Sequence, residues 1–110
     1  MTAFVRVCEL GELEVDTPKR VEIEGTPVAV VRTEEEVFAI YDICSHANVS
    51  LAEGEVEDGQ IECWLHGSCF DLRTGKPSSL PATRPVPVYP VKIEGDGEAA
   101  AVLVSLTQES

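Results

Sequence analysis

The 110-residue chain predicts an all-β domain of antiparallel strands. Short apolar stretches recur with turn residues at roughly eight- to twelve-residue intervals, the spacing of a small sandwich or barrel. Val21/Ile23 and Val37/Ala39 alternate with polar or oppositely facing neighbours, as the two-residue period of a half-buried strand requires. No apolar stripe at helical spacing competes with these signals.

In order, the predicted strands are Phe4 to Cys8, Arg20 to Ile23, Val28 to Arg32, Val37 to Tyr41, Gly59 to Cys63, Ser68 to Asp71, Val86 to Glu94 and Ala100 to Leu106. Glu24-Gly25, Asp58-Gly59, Thr74-Gly75 and Gly95-Asp96-Gly97 supply turns between them, because glycine adopts backbone angles that other residues avoid. The length is that of one domain with a modest core, in which a bound metal centre would help to tie the chain together.

Twenty acidic against eight basic residues give a formal charge of −12, and no basic cluster exceeds Lys19-Arg20. A phosphate backbone needs a basic face, so nucleic-acid binding is excluded. The carboxylates suit solubility, and also steering onto basic patches of partner proteins. With no 18-residue apolar run and no charged-then-apolar leader, neither a membrane anchor nor a secretory signal is expected, and the expected location is the cytoplasm.

Two short clusters carry the chemistry. Cys44-Ser45-His46 and Cys63-Trp64-Leu65-His66, separated by the sixteen residues 47–62, together offer two thiolates and two imidazoles, a full ligand set for iron or zinc. A structural zinc site, and with it a zinc-stabilised interaction module, is one reading of such a set. Spacing argues against it, since zinc-finger pairs are usually of one type and each pair here is mixed. The second cluster continues as Gly67-Ser68-Cys69-Phe70-Asp71.

The stretch around both clusters resembles the Rieske iron-sulfur family, whose pattern is Cys-x-His followed, after a spacer of this length, by Cys-x-x-His-Gly. The resemblance is close from Tyr41 to Val91 and looser in the flanking strands. It implies one 2Fe-2S cluster, with Cys44 and Cys63 on one iron and His46 and His66 on the other. It also implies a fold: an antiparallel β-sandwich base formed by residues 1–42 and 83–110, with a cluster-binding lobe, residues 43–82, inserted between its strands. A single helical turn near Glu9 to Leu13 belongs to the same expectation.

Two thiolates bring an oxidised cluster core of charge +2 to zero and the reduced one to −1, whereas four would make both states two units more negative. Such mixed-ligand centres therefore span roughly −150 to +300 mV, against about −400 mV for all-cysteine plant-type ferredoxins. High-potential relatives add a disulfide across the ligand loops, at positions occupied here by Val49 and Leu65, so no such bridge forms. Cys8 and Cys69 are left as small buried or half-buried thiols. Those relatives also carry a serine just after His-Gly and a tyrosine two residues later, both donating toward sulfur. This chain has Ser68 and then Phe70, which cannot donate, and the expected potential lies in the lower half of the range.

The family resemblance also assigns Leu80 and Pro81 to a proline-containing loop that shields the cluster, and exposes the outer nitrogens of the two histidines. Trp64 could look like a relay, but an aromatic between ligands is more often packing at the lobe surface. Asp42 and Asp71 read as solvated turn carboxylates. Only two histidines are present and both are used as ligands, no nucleotide fingerprint appears, and no second iron site is offered. The chain is thus expected to be a carrier and not an enzyme: a Rieske ferredoxin passing electrons from a flavin-containing NAD(P)H reductase to a terminal non-haem iron oxygenase. Service to iron-sulfur assembly machinery or to a nitrite reductase is the alternative within the family.

Overall fold

Val28, Ala29, Val30 and Val31 are four consecutive residues with no exposed surface, so the strand that carries them is covered on both faces. The computed structural model describes residues 4–34, 36–44, 49–65, 67–78 and 84–106. Its strands are β1 (Phe4–Glu9), β2 (Lys19–Ile23), β3 (Thr26–Arg32), β4 (Val37–Tyr41), β5 (Glu55–Glu57), β6 (Gln60–Glu62), β7 (Cys69–Asp71), β8 (Val88–Tyr89), β9 (Val91–Glu94) and β10 (Ala101–Ser105). They form three antiparallel sheets in the orders β1-β10-β9, β2-β3-β4-β8 and β5-β6-β7. The expected turn at Glu9 to Leu13 is a single 3-10 turn, Leu10–Glu12.

The four-stranded sheet is the shared wall of two cores. Val21 pairs with Val28 and Val30 with Ala39, and these side chains, with Ile23 and Tyr89, meet Cys8, Val102 and Val104 of the β1-β10-β9 sheet. That is the antiparallel sandwich anticipated from the alternation at Val21/Ile23 and Val37/Ala39. The intervening residues Ala29, Val31 and Ile40 point the other way and meet Leu51, Val56, Ile61, Phe70 and Leu72. The β5-β6-β7 segment is too short to bury a core alone, and it borrows the back of the larger sheet instead.

Two departures from the expected strands have local causes. The single strand predicted over Val86 to Glu94 is broken at Pro90: β8 pairs with β4, whereas β9 pairs with β10 in the other sheet. Proline cannot donate to a ladder, and at this crossing only its carbonyl is used, accepting from the Ser105 amide at 3.1 Å. Strand β5 was not anticipated because Glu55-Val56-Glu57 offers one apolar residue, too little to show a period. Its hairpin to β6 turns on Asp58-Gly59, as the β2-β3 hairpin turns on Glu24-Gly25. All four residues have positive φ, from 50° to 84°, the two-residue turn whose twist matches paired strands.

The sandwich core contains two groups that prefer to stay neutral. Burial pushes the Cys8 thiol up, with Glu12 adding to it, and burial pushes the Tyr89 hydroxyl up, with Tyr41 adding. Below the ordinary values of about 8.5 and 10 both groups are neutral whether folded or unfolded, and their contribution is intact. As pH rises through the raised folded values the unfolded chain has already lost its protons, so stability falls. The urea midpoint should therefore drop between pH 8 and pH 10.5, and by less in Cys8→Ala. An identical drop in that variant would remove the thiol from the explanation.

Candidate metal centre

The two sequence clusters become two loops closed in the same way. After β4, the Cys44 amide donates to the Val49 carbonyl at 3.0 Å; after β6, the Cys63 amide donates to the Ser68 carbonyl at 2.7 Å. Each cysteine thus bonds to the fifth residue beyond it. The first neck is reinforced by a bridge between Ile43 and Ser50, the second by the Gly67 amide donating to the Cys63 carbonyl at 2.9 Å. Both cysteines are buried, Cys63 fully, in the core that contains Phe70, Leu51 and Ile61. Burying side chains of the size of Phe70, Leu51 and Leu72 is worth roughly 1.5–3 kcal/mol each, which fixes the floor on which the loops stand.

His46 and His66 lie outside the described residues, as do Leu80 and Pro81 of the expected shielding loop. Among the described residues no group of three or more His, Cys, Asp or Glu gathers elsewhere as a competing metal site. Two thiols buried in one core at the necks of two matched loops suit a sulfur-ligated cluster. Cys8 is buried in the other core, and Cys69 is half-buried with its Sγ 3.8 Å from the Gly67 carbonyl. None of Cys8, Cys44, Cys63 and Cys69 is joined in a disulfide. Trp64 and Leu65 stand exposed on the second loop, in line with a surface role for Trp64.

Glycines hold the loops to their neighbours. A Cβ at Gly54 would lie 1.7 Å from the Glu62 carbonyl oxygen, so the exit of the first loop touches the residue preceding Cys63; at Gly75 it would lie 2.1 Å from the Val86 carbonyl oxygen. The sequence marked Gly75 only as a turn glycine.

Asp42 corrects the sequence reading. It is not a solvated turn carboxylate but is fully buried at the base of the first loop. Its Oδ2 accepts from the Ser50 hydroxyl at 2.5 Å and lies 3.4 Å from the Arg20 guanidinium, and its Oδ1 accepts from the Ala52 amide at 2.9 Å. Asp71 does keep a turn role, its Oδ1 accepting from the amides of Arg73 at 2.7 Å and Thr74 at 3.1 Å. Among the described residues no buried side-chain nitrogen or oxygen is left without a partner.

Ser68 is fully buried beside Cys63, and Phe70 is fully buried two residues on. If the Ser68 hydroxyl donates to sulfur it favours the more negative reduced state, so Ser68→Ala should lower the midpoint potential. Phe70→Tyr should raise it, since the new hydroxyl must find an acceptor in a core where ligand sulfur is available. About 59 mV corresponds to a tenfold change for one electron, near the worth of one hydrogen bond to a charged group, so shifts of some tens of millivolts are expected. Film voltammetry on the three proteins decides it: no response to Ser68→Ala would remove that hydroxyl from the tuning.

Comparison with known proteins agrees with this geometry. Residues 3–90 match the model of the Rieske [2Fe-2S] domain. The anthranilate 1,2-dioxygenase ferredoxin subunit of Burkholderia cepacia is 45% identical over 84 residues, covering 76% of this chain and 78% of its own. The ferredoxin of carbazole 1,9a-dioxygenase from Nocardioides aromaticivorans IC177 superposes with a TM-score of 0.85 at 39% identity, over 93% of this chain and 96% of that one. A ferredoxin solved in complex with the oxygenase of carbazole 1,9a-dioxygenase gives a TM-score of 0.86 at 33% identity, over 97% and 96% of the two chains. With the two loops, their buried thiols and a match across most of its length, the chain belongs to the Rieske [2Fe-2S] family and carries one 2Fe-2S cluster.

Proposed function

We propose that this protein is the ferredoxin component of a ring-hydroxylating dioxygenase system, working in the cytoplasm. It takes single electrons from a flavin-containing NAD(P)H reductase and delivers them to a terminal non-haem iron oxygenase. Cys44 and Cys63 bind one iron, His46 and His66 the other, and residues 43–82 form the lobe that presents the cluster on a base of residues 1–42 and 83–110. The observation that carries this reading is the pair of buried cysteines beneath identically closed loops in a chain 45% identical to a dioxygenase ferredoxin subunit. An oxygenase partner is supported by a ferredoxin of the same fold solved in complex with the oxygenase of carbazole 1,9a-dioxygenase.

The remaining surface supports a carrier. A cleft of about 620 Å³ is open and polar, lined by Asp16, Glu34, Glu36, Asp58, Asp71 and Arg73 among others, and neither Cys44 nor Cys63 lines it. Such a lining offers no apolar enclosure for an aromatic substrate. No helix among the described residues is long and apolar enough to cross a membrane. A net charge of −12 favours encounter with basic faces.

The purified protein should contain two irons and two labile sulfides per chain, and on reduction show a rhombic paramagnetic signal whose average g lies below that of all-cysteine clusters. Reduction by NAD(P)H through a flavin reductase and reoxidation by a terminal oxygenase should both slow as salt is raised, because exposed charges are screened beyond about 8 Å at physiological ionic strength. One zinc and no sulfide would overturn the reading.

A further inference from the structure

Taking Cys44 as an iron ligand, we propose that Asp42 is a positioning residue for the cluster, the fixed point from which the first ligand loop is suspended. One buried residue accepts hydrogen bonds from three consecutive positions beyond the loop: its carboxylate from Ser50 and Ala52, and its backbone carbonyl from the Leu51 amide at 2.5 Å. Its own amide donates to the Pro27 carbonyl at 3.1 Å, anchoring it to β3 in the wall between the two cores. Arg20 on β2 reaches the same carboxylate at 3.4 Å from a partly exposed site and supplies the countercharge. Cys44 is two residues along, and its amide closes the loop onto Val49, immediately before Ser50. Both ends of the loop are therefore tied to one residue, two positions before the cysteine.

A carboxylate is required because every contact is a donor. An amide at this position keeps one acceptor oxygen: if it serves Ala52, the NH2 group faces Ser50 and the Arg20 guanidinium, and if it serves Ser50 and Arg20, the NH2 group faces the Ala52 amide. Loss of such outer supports commonly weakens metal binding about 10- to 100-fold.

The test uses the full-length, cluster-loaded protein with Asp42→Asn, and Val30→Ala in the sandwich core as a control, at urea concentrations that bring the two variants to equal folded stability. Asp42→Asn is expected to release iron to a chelator about tenfold faster than the control, and to broaden the rhombic signal and shift the midpoint potential while the control leaves both unchanged. Ser50→Ala, which removes one of the bonds, should show the same changes at a few-fold, and it carries the test if Asp42→Asn does not fold. Variants at Asp42 and Ser50 that match the control in release rate, linewidth and potential would show that the network only stabilises the fold and would overturn the inference. Wild-type protein without iron would overturn the cluster reading, and this inference with it.

Discussion

Cys63→Ala yields a colourless protein if the two loops hold the cluster as proposed. Cys63 is fully buried at the exit of β6, and its amide and carbonyl both pin the second loop, so the substitution removes a thiolate without removing the loop's own closure. The visible spectrum and the iron content should be lost together, and His46→Ala should do the same from the other loop. Because the cluster would cross-link two loops that lack a core of their own, its binding energy is folding energy, and amide exchange in β5, β6 and β7 should rise with the loss of iron. Cys8→Ser and Cys69→Ser should keep the full spectrum, one thiol lying in the other core and the other half-buried on β7. Bleaching by Cys69→Ser would reassign the ligands.

Gly54→Ala is expected to be the most damaging small substitution outside the ligands. The added methyl would meet the backbone oxygen of Glu62 at 1.7 Å, a contact that no side-chain rotation relieves. The 3-10 turn Leu51–Glu53 would have to lift off β6, separating the first loop's exit from the second loop's entry. Overpacking of this kind costs about 3 kcal/mol, more than a hundredfold in the folding equilibrium, and iron occupancy should fall with it. Gly25→Ala is the matched control. Its φ of 84° strains any other residue, but nothing lies within 4 Å of the new methyl, so a loss of only about 1–2 kcal/mol is expected, with the cluster retained. Urea unfolding and iron analysis on both variants separate close approach from backbone strain; equal losses would refute the steric account.

The sequence showed what depends on neighbouring residues. The alternation at Val21/Ile23 and Val37/Ala39 identified the sandwich face, the turn pair at Glu24-Gly25 ended a strand where it does end, at Ile23, and Cys44 and Cys63 stood out by spacing. What it concealed depends on contacts distant along the chain. Nothing beside Asp42 announces its burial, because the groups that make a buried carboxylate tolerable, Arg20, Ser50 and Ala52, come from another strand and from beyond the loop. The one hint is its place between Tyr41 and Ile43, where a polar residue interrupts an apolar run. Gly54 hid its role for the same reason: its φ is ordinary, and only the approach of Glu62 demands the missing Cβ. Pro90 was visible, but its consequence, a change of sheet, belongs to the topology.

The strand buried on both faces has a consequence for how the protein is made. Among the described residues, Ala29, Val31 and Ile40 are covered largely by the segment that carries Cys44 and Cys63, and that segment is held down by a handful of short pairings. Where that segment opens before iron and sulfide arrive, a strip of aliphatic wall meets solvent. Such a strip beside incompletely paired strands invites self-association. A net charge of −12 opposes it by mutual repulsion between chains, so the acidity of the surface also guards the interval before the cofactor arrives.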